Sequence, residues 1–340
     1  MRSKTILLAA LACSACATTA TTPPVASLPA AEVTALAETA PVGTAAADAA
    51  DDPAIWRNPA DPAKSLIVAT DKRAGLHVYG LGGASRFFEP DGRLNNVDLV
   101  DLGPRGVIVV ASDRNDVMAA KLRLYRLDTE TAKLIPLGAV AGGKGEAYGV
   151  CLWVHGEALH AFSVLKDGTV EEFRLELDGT PRSVPVATRK VATQAEGCVA
   201  DPRDGTLYVG EEDVGVWRYA AGSTQGALVA KADGKQLVMD TEGLALITEG
   251  DKGGYLVASS QGDNAYAVYR LPGMEPAGRF RIAAGKFGAT SETDGIALMG
   301  GGFGTDYPAG LFVAQDGDNA PHAQNFKLVS WADVRKALGL

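Results

Sequence analysis

The residues best suited to chemistry in this chain are carboxylates, and they recur within one phrase. Residues 239–246 read M-D-T-E-G-L-A-L, and residues 292–298 read E-T-D-G-I-A-L. Carboxylates that converge repel one another, so a dense group needs cations to be stable. Oxygen donors without histidine or cysteine select a hard ion such as calcium. The question is what fold would bring such phrases together.

Six copies can be aligned. They are D-D-P-A-I-W at 51, N-N-V-D-L at 95, A-Y-G-V-C-L at 147, A-E-G-C-V-A at 195, T-E-G-L-A-L at 241 and T-D-G-I-A-L at 293. With Asp52, Asn96, Tyr148, Glu196, Glu242 and Asp294 as markers, the spacings are 44, 52, 48, 46 and 52 residues. Repeats of that length predict the four-stranded blades of a β-propeller. The fold class is therefore all-β, a six-bladed β-propeller forming a single domain over residues 47–340.

A second phrase follows each first one, an apolar strand that runs into a polar residue. These end at Lys72, Arg114, Lys166, Glu212, Gln261 and Asp316. In an antiparallel hairpin, the start of one strand and the end of the next share a rim. Both sets should therefore crowd one mouth of the central channel. The acidic set is Asp51, Asp52, Glu196, Glu211, Glu212, Asp240, Glu242 and Asp294, and Asn96 and Asp316 complete the candidate metal ligands. Lys72, Arg114 and Lys166 stand among them and are left to hold an anion, with phosphate the best match. The bland alternative is that acidic turn residues merely solvate strand ends.

The bulk composition agrees. The 340 residues include 40 glycines and are 46% hydrophobic, which suits many short strands joined by tight turns. A formal charge of −9 argues against nucleic acid as a partner. Arg2 and Lys4, the apolar run from Ile6 to Ala12 and the small residues after it read as a secretory signal over 1–16. Cys13 or Cys16 would be the lipidated residue if that signal is a lipoprotein signal, and membrane contact is expected only through such an anchor. Residues 17–46, rich in Ala, Thr and Pro, read as a flexible and dispensable tether, although propellers often close by pairing strands from both termini. The protein is expected to be an exported monomer, periplasmic or extracellular. Cys151 and Cys198 are either two small buried hydrophobes or a disulfide, and neither begins a C-x5-R phosphatase loop.

In combination, T-D-K-R-A-G-L-H-V-Y, R-L-N-N-V-D, A-Y-G-V-C-L, E-G-C-V-A-D, G-E-E-D, D-T-E-G-L, S-S-Q-G-D-N and G-L-F-V-A-Q-D-G-D-N resemble the β-propeller phytases. The resemblance runs from residue 51 to residue 331. It implies several calcium ions and the hydrolysis of phosphomonoesters of myo-inositol hexakisphosphate (phytate), taken as its calcium complex, by metal-activated water. It also implies a cleavage site beside a second phosphate site.

Carried over by motif, Lys72, Arg114, Glu196, Glu212 and Gln261 are the catalytic candidates, and Tyr148, Lys166 and Asp167 bind substrate. Glu212 is the candidate acid or base. Two departures stand out. Asp167 replaces a glutamate, and Gly288 stands where the family carries an acidic residue before the last repeat, so that one calcium ligand is either missing or supplied by Glu292. The rival readings are a calcium-dependent propeller lactonase and a non-catalytic calcium-stabilised binding propeller. A lactonase would leave Lys72, Arg114 and Lys166 without a task.

Overall fold

The computed structural model describes residues 26–45 and 48–340. The expected signal segment over 1–16, with Cys13 and Cys16, lies outside the described residues. Each repeat folds as an antiparallel sheet whose strands pair in sequence order. The first blade is Ala50–Trp56, Leu66–Asp71, Gly75–Gly80 and Ser85–Glu89. The inner strands of the other five are Leu94–Asp101, Ala147–His155, Ala195–Ala200, Thr241–Glu249 and Ile296–Gly300. Each inner strand packs on the next, and the sixth packs on the first, so the ring closes as a β-propeller.

The core lies between blades. Val68 and Val78 of the first blade, for example, meet Val97, Val109 and Tyr125 of the second. Second strands such as Leu66–Asp71 and Val107–Asp113 are buried on both faces, which explains their unbroken apolar runs. Each fully buried valine or leucine contributes roughly 1.5–3 kcal/mol. At the rim opposite the repeated phrases, arginines tie neighbouring blades through turn carbonyls. Arg57 Nε donates to Gly302 O at 2.9 Å, and Arg105 Nη1 to Glu157 O at 3.1 Å.

The tether expected over 17–46 needs correction in its described part. Ala31–Thr34 pairs in parallel with Glu275–Ala283 as a fifth strand of the fifth blade. Ala37–Glu38 pairs antiparallel with Asn325–Ser330 and supplies the fourth strand of the sixth. Glu38 reaches Lys327 Nζ at 2.6 Å, and that wholly buried ammonium lies 3.0 Å from Asp316 on its other side. Removing one partner of a buried ion pair costs about 3 kcal/mol or more. Residues 31–38 are therefore part of the fold and not a dispensable leader.

Cys151 and Cys198 are joined by a disulfide between the inner strands of the third and fourth blades, which settles the open alternative. Among the described residues, no helix is long and apolar enough to cross a membrane.

Candidate active site

The repeated phrase marks a β-bulge. In the first five inner strands, two residues stand opposite one on the partner strand, as where Ala50 pairs Asp71 and Pro53 pairs Ala69. The first bulged residue in each is Asp51, Asn95, Tyr148, Glu196 and Glu242, and Asp294 takes that place in the sixth blade. A bulge bends the strand and re-aims its side chain, here toward the channel mouth.

The second bulged residue is glycine in four blades because the next blade approaches too closely for a side chain. A Cβ on Gly197 would lie 2.2 Å from Glu242 O, and one on Gly243 would lie 2.7 Å from Asp294 O. Gly243 N–H donates to Asp294 O at 2.8 Å, and Gly295 N–H to Asp51 O at 3.0 Å.

Asp52 and Asn96 occupy the position that is glycine in the other blades, one residue after the first bulged residue. Asp52 Oδ2 accepts from Val97 N–H of the next blade at 3.0 Å, and Asn96 N–H is held by Ser112 Oγ at 2.9 Å. The ring member in the second blade is Asn95, whose Nδ2 donates to Glu196 Oε1 at 2.7 Å.

The two phrases share one rim, as the hairpin argument requires. In the first five blades, the backbone N–H of the second-phrase residue donates to the carbonyl two residues before the bulge. Lys72 pairs with Ala49 at 2.7 Å, Arg114 with Arg93 at 3.0 Å and Lys166 with Glu146 at 3.1 Å. Glu212 pairs with Gln194 and Gln261 with Asp240, both at 3.0 Å.

Part of the mouth is a cavity of about 500 Å³ lined by Asp48, Lys72, Tyr148, Glu196, Glu242, Gln261, Glu292 and Asp294, among others. Lys72 Nζ is caged there, 2.8 Å from both Asp51 and Asp294 and also against Asp48. Gln261 Nε2 fixes Asp294 from the other side at 2.7 Å. Across the mouth, Tyr148 is flanked by two cations. Arg114 lies 5.7 Å and Lys166 Nζ 5.0 Å from the ring centre.

Three other candidates are placed away from the mouth. Glu211 accepts from Thr193 N–H at 2.6 Å and from Trp217 Nε1 at 2.7 Å, a packing role. Asp316 is committed to the buried Lys327. Asp167 is exposed on a turn and paired with Lys190 at 2.8 Å. None of the four histidines lines the cavity.

Burial and mutual repulsion dominate the electrostatics. Burial, then Asp51 and Glu242, push the Glu196 carboxyl well above the usual carboxylate range. Burial, then Asp294 and Glu212, do the same to Glu242. Asp294 is pushed up to about 7 by burial and then Asp51, against the pull of Lys72. Burial raises Glu212 as well, partly offset by a hydrogen bond from Gln194. Burial alone would lower Lys72, but Asp51, Asp294 and Glu196 outweigh it and hold the ammonium firmly charged.

The donor set fits a hard cation. One oxygen each from Glu196, Glu212 and Glu242 lie within 4.8 Å of one another. Asp51 Oδ1 and Glu242 Oε2 are buried without a hydrogen bond. On the other side, Arg114 Nε is a buried donor without an acceptor. The site thus holds buried acceptor atoms without a donor and a buried donor without an acceptor.

Sequence reasoning missed Asp48, Asn95 and Gln194, and it named Glu292 only as a stand-in for the acid lacking at Gly288. Gln194 and Glu292 were both legible in principle. They stand two residues before Glu196 and Asp294, in the row that Asp240 occupies before Glu242.

Comparison with known proteins bears on this arrangement. A family model described as Phytase matches residues 4–340. A 3-phytase of Bacillus subtilis (strain 168) is 38% identical over 330 residues, covering 91% of this chain and 86% of that protein. A solved structure of BBS1N in complex with ARL6DN is 11% identical, covers 77% of this chain and 74% of its own, and has a TM-score of 0.48, too weak a likeness to carry an argument.

Proposed function

The chain belongs to the phytase family, and from that premise we propose that it is a calcium-dependent 3-phytase acting on calcium phytate at this mouth. One observation carries the reading. Orphaned carboxylate oxygens on Asp51 and Glu242 face a site that also holds an orphaned donor on Arg114. A divalent cation and a phosphate together would satisfy both.

Asp51, Glu196, Glu212, Glu242 and Asp294 are the residues that would hold calcium, with Asp240, Glu292 and Asp48 at the lip. Calcium, when bound, supplies positive charge against phosphate oxygens and lowers the pKa of nearby water. Lys72, kept charged and fixed by its carboxylate cage, opposes the charge that grows on the phosphoryl oxygens during cleavage. Arg114 adds its free Nε–H to the same task. Glu212, held by the Gln194 amide, is placed to exchange a proton with the leaving oxygen or the incoming water. Lys166 and Tyr148 grip a neighbouring phosphate that does not react, which orients the substrate.

Export is the compartment assigned, since a disulfide such as Cys151–Cys198 persists in oxidising surroundings.

The two-site division is tested by Lys166→Ala. Its cost is expected mainly in the KM for phytate. A substrate with a single phosphate, which cannot fill both positions, should be hydrolysed almost as before. Equal damage to both substrates would place Lys166 with the cleavage group.

A further inference from the structure

The amide of Gln194 joins the two halves of the site. Its Nε2 donates to Glu212 Oε1 at 2.6 Å and lies 3.3 Å from Tyr148 Oη. Its backbone carbonyl receives Glu212 N–H at 3.0 Å. Glu212 is thus held at both backbone and side chain by one residue, and that residue also contacts the ring flanked by Arg114 and Lys166.

We propose that Gln194 is a positioning residue that fixes the Glu212 carboxylate relative to Tyr148, and so sets the spacing between the cleaved phosphate and its neighbour. This rests on the proposed function, with Glu212 at the cleaved phosphate. The geometry favours positioning over direct catalysis because the amide nitrogen has no proton to give up at neutral pH. Both of its N–H bonds are directed to protein atoms. A carboxylate freed from such a donor samples other rotamers, and a catalytic group displaced by even one ångström loses much of its effect.

The test is a double-mutant cycle, because two residues acting as one unit are not additive. Gln194→Leu is expected to lower kcat on phytate about tenfold, the cost of one hydrogen bond to a charged group. KM, the Tm in calcium and the affinity for the hexasulfate analogue of phytate should each stay within about threefold or a degree or two of wild type. In the Glu212→Gln background, the same substitution should cost less than about twofold, since the group it positions is already lost.

Gln194→Met, which keeps the side-chain length, serves in the same cycle if the leucine variant does not fold. An unchanged kcat would overturn the inference. Equal losses in both backgrounds would also overturn it, because Gln194 would then act independently of Glu212. A wild-type protein that releases no phosphate from phytate would overturn the functional reading and this inference with it, whereas the other two results overturn the inference alone.

Discussion

Replacing Lys72 with methionine is expected to lower kcat on phytate by at least about a hundredfold, with a much smaller change in KM. The expectation follows from where the ammonium sits. It is the only basic side chain lining the cavity among the described residues. Two carboxylates at 2.8 Å hold it in place before any substrate arrives. A charge fixed in advance costs no reorganisation as negative charge builds on the phosphoryl oxygens, and it acts in surroundings drier than bulk water. Its removal is therefore felt in the transition state more than in the bound substrate. Steady-state kinetics on phytate with calcium in excess make the check. A raised KM with intact kcat would mean that Lys72 only binds ground-state phosphate.

The second large effect concerns the carboxylates themselves. Asp294 titrates near 7 in the folded protein against an ordinary value of 3.8, and Glu196, Glu242 and Glu212 are shifted the same way. Between those two limits the folded state keeps a proton that the unfolded chain has lost. Stability of the metal-free protein should then fall as pH rises through that window.

On the proposed reading, bound calcium would offset that repulsion and keep the carboxylates charged. A site filled at a thousandfold excess over its Kd adds about 4 kcal/mol, or roughly seven degrees in Tm for a domain of this size. The variant Glu196→Gln/Glu242→Gln should melt higher than wild type in chelator at pH 8 and gain little from calcium. Melting curves in chelator and in calcium, from about pH 5 to 8, make the check. A chelated wild type that grows more stable across that range would contradict the account.

How much of this was legible in the sequence can be traced to individual residues. The six-fold repeat was legible because close approach between blades demands glycine at Gly149, Gly197, Gly243 and Gly295, and those glycines punctuate the phrase. The first two copies lack the glycine, so the alignment slipped by one and chose Asp52 and Asn96 over Asp51 and Asn95. The shared rim was legible because antiparallel pairing dictates it.

The packing roles of Glu211 and Asp316 were not legible. They end second strands as polar residues, and only the contacts of Trp217 and Lys327 distinguish them from the channel-facing set. The strands Ala31–Thr34 and Ala37–Glu38 were hidden for another reason. They are four and two residues long, and their partners lie some 250 to 290 residues away, so local pattern carries no trace of the pairing. The disulfide was equally a matter of which inner strands become neighbours.

The central claim is that the acidic mouth hydrolyses phytate only with calcium in it. Phosphate release from phytate by the purified protein, measured with calcium and again in excess chelator, tests this most directly. The account predicts steady release in calcium, near-complete loss in chelator and recovery when calcium is restored. Equal release under both conditions, or none under either, would contradict it.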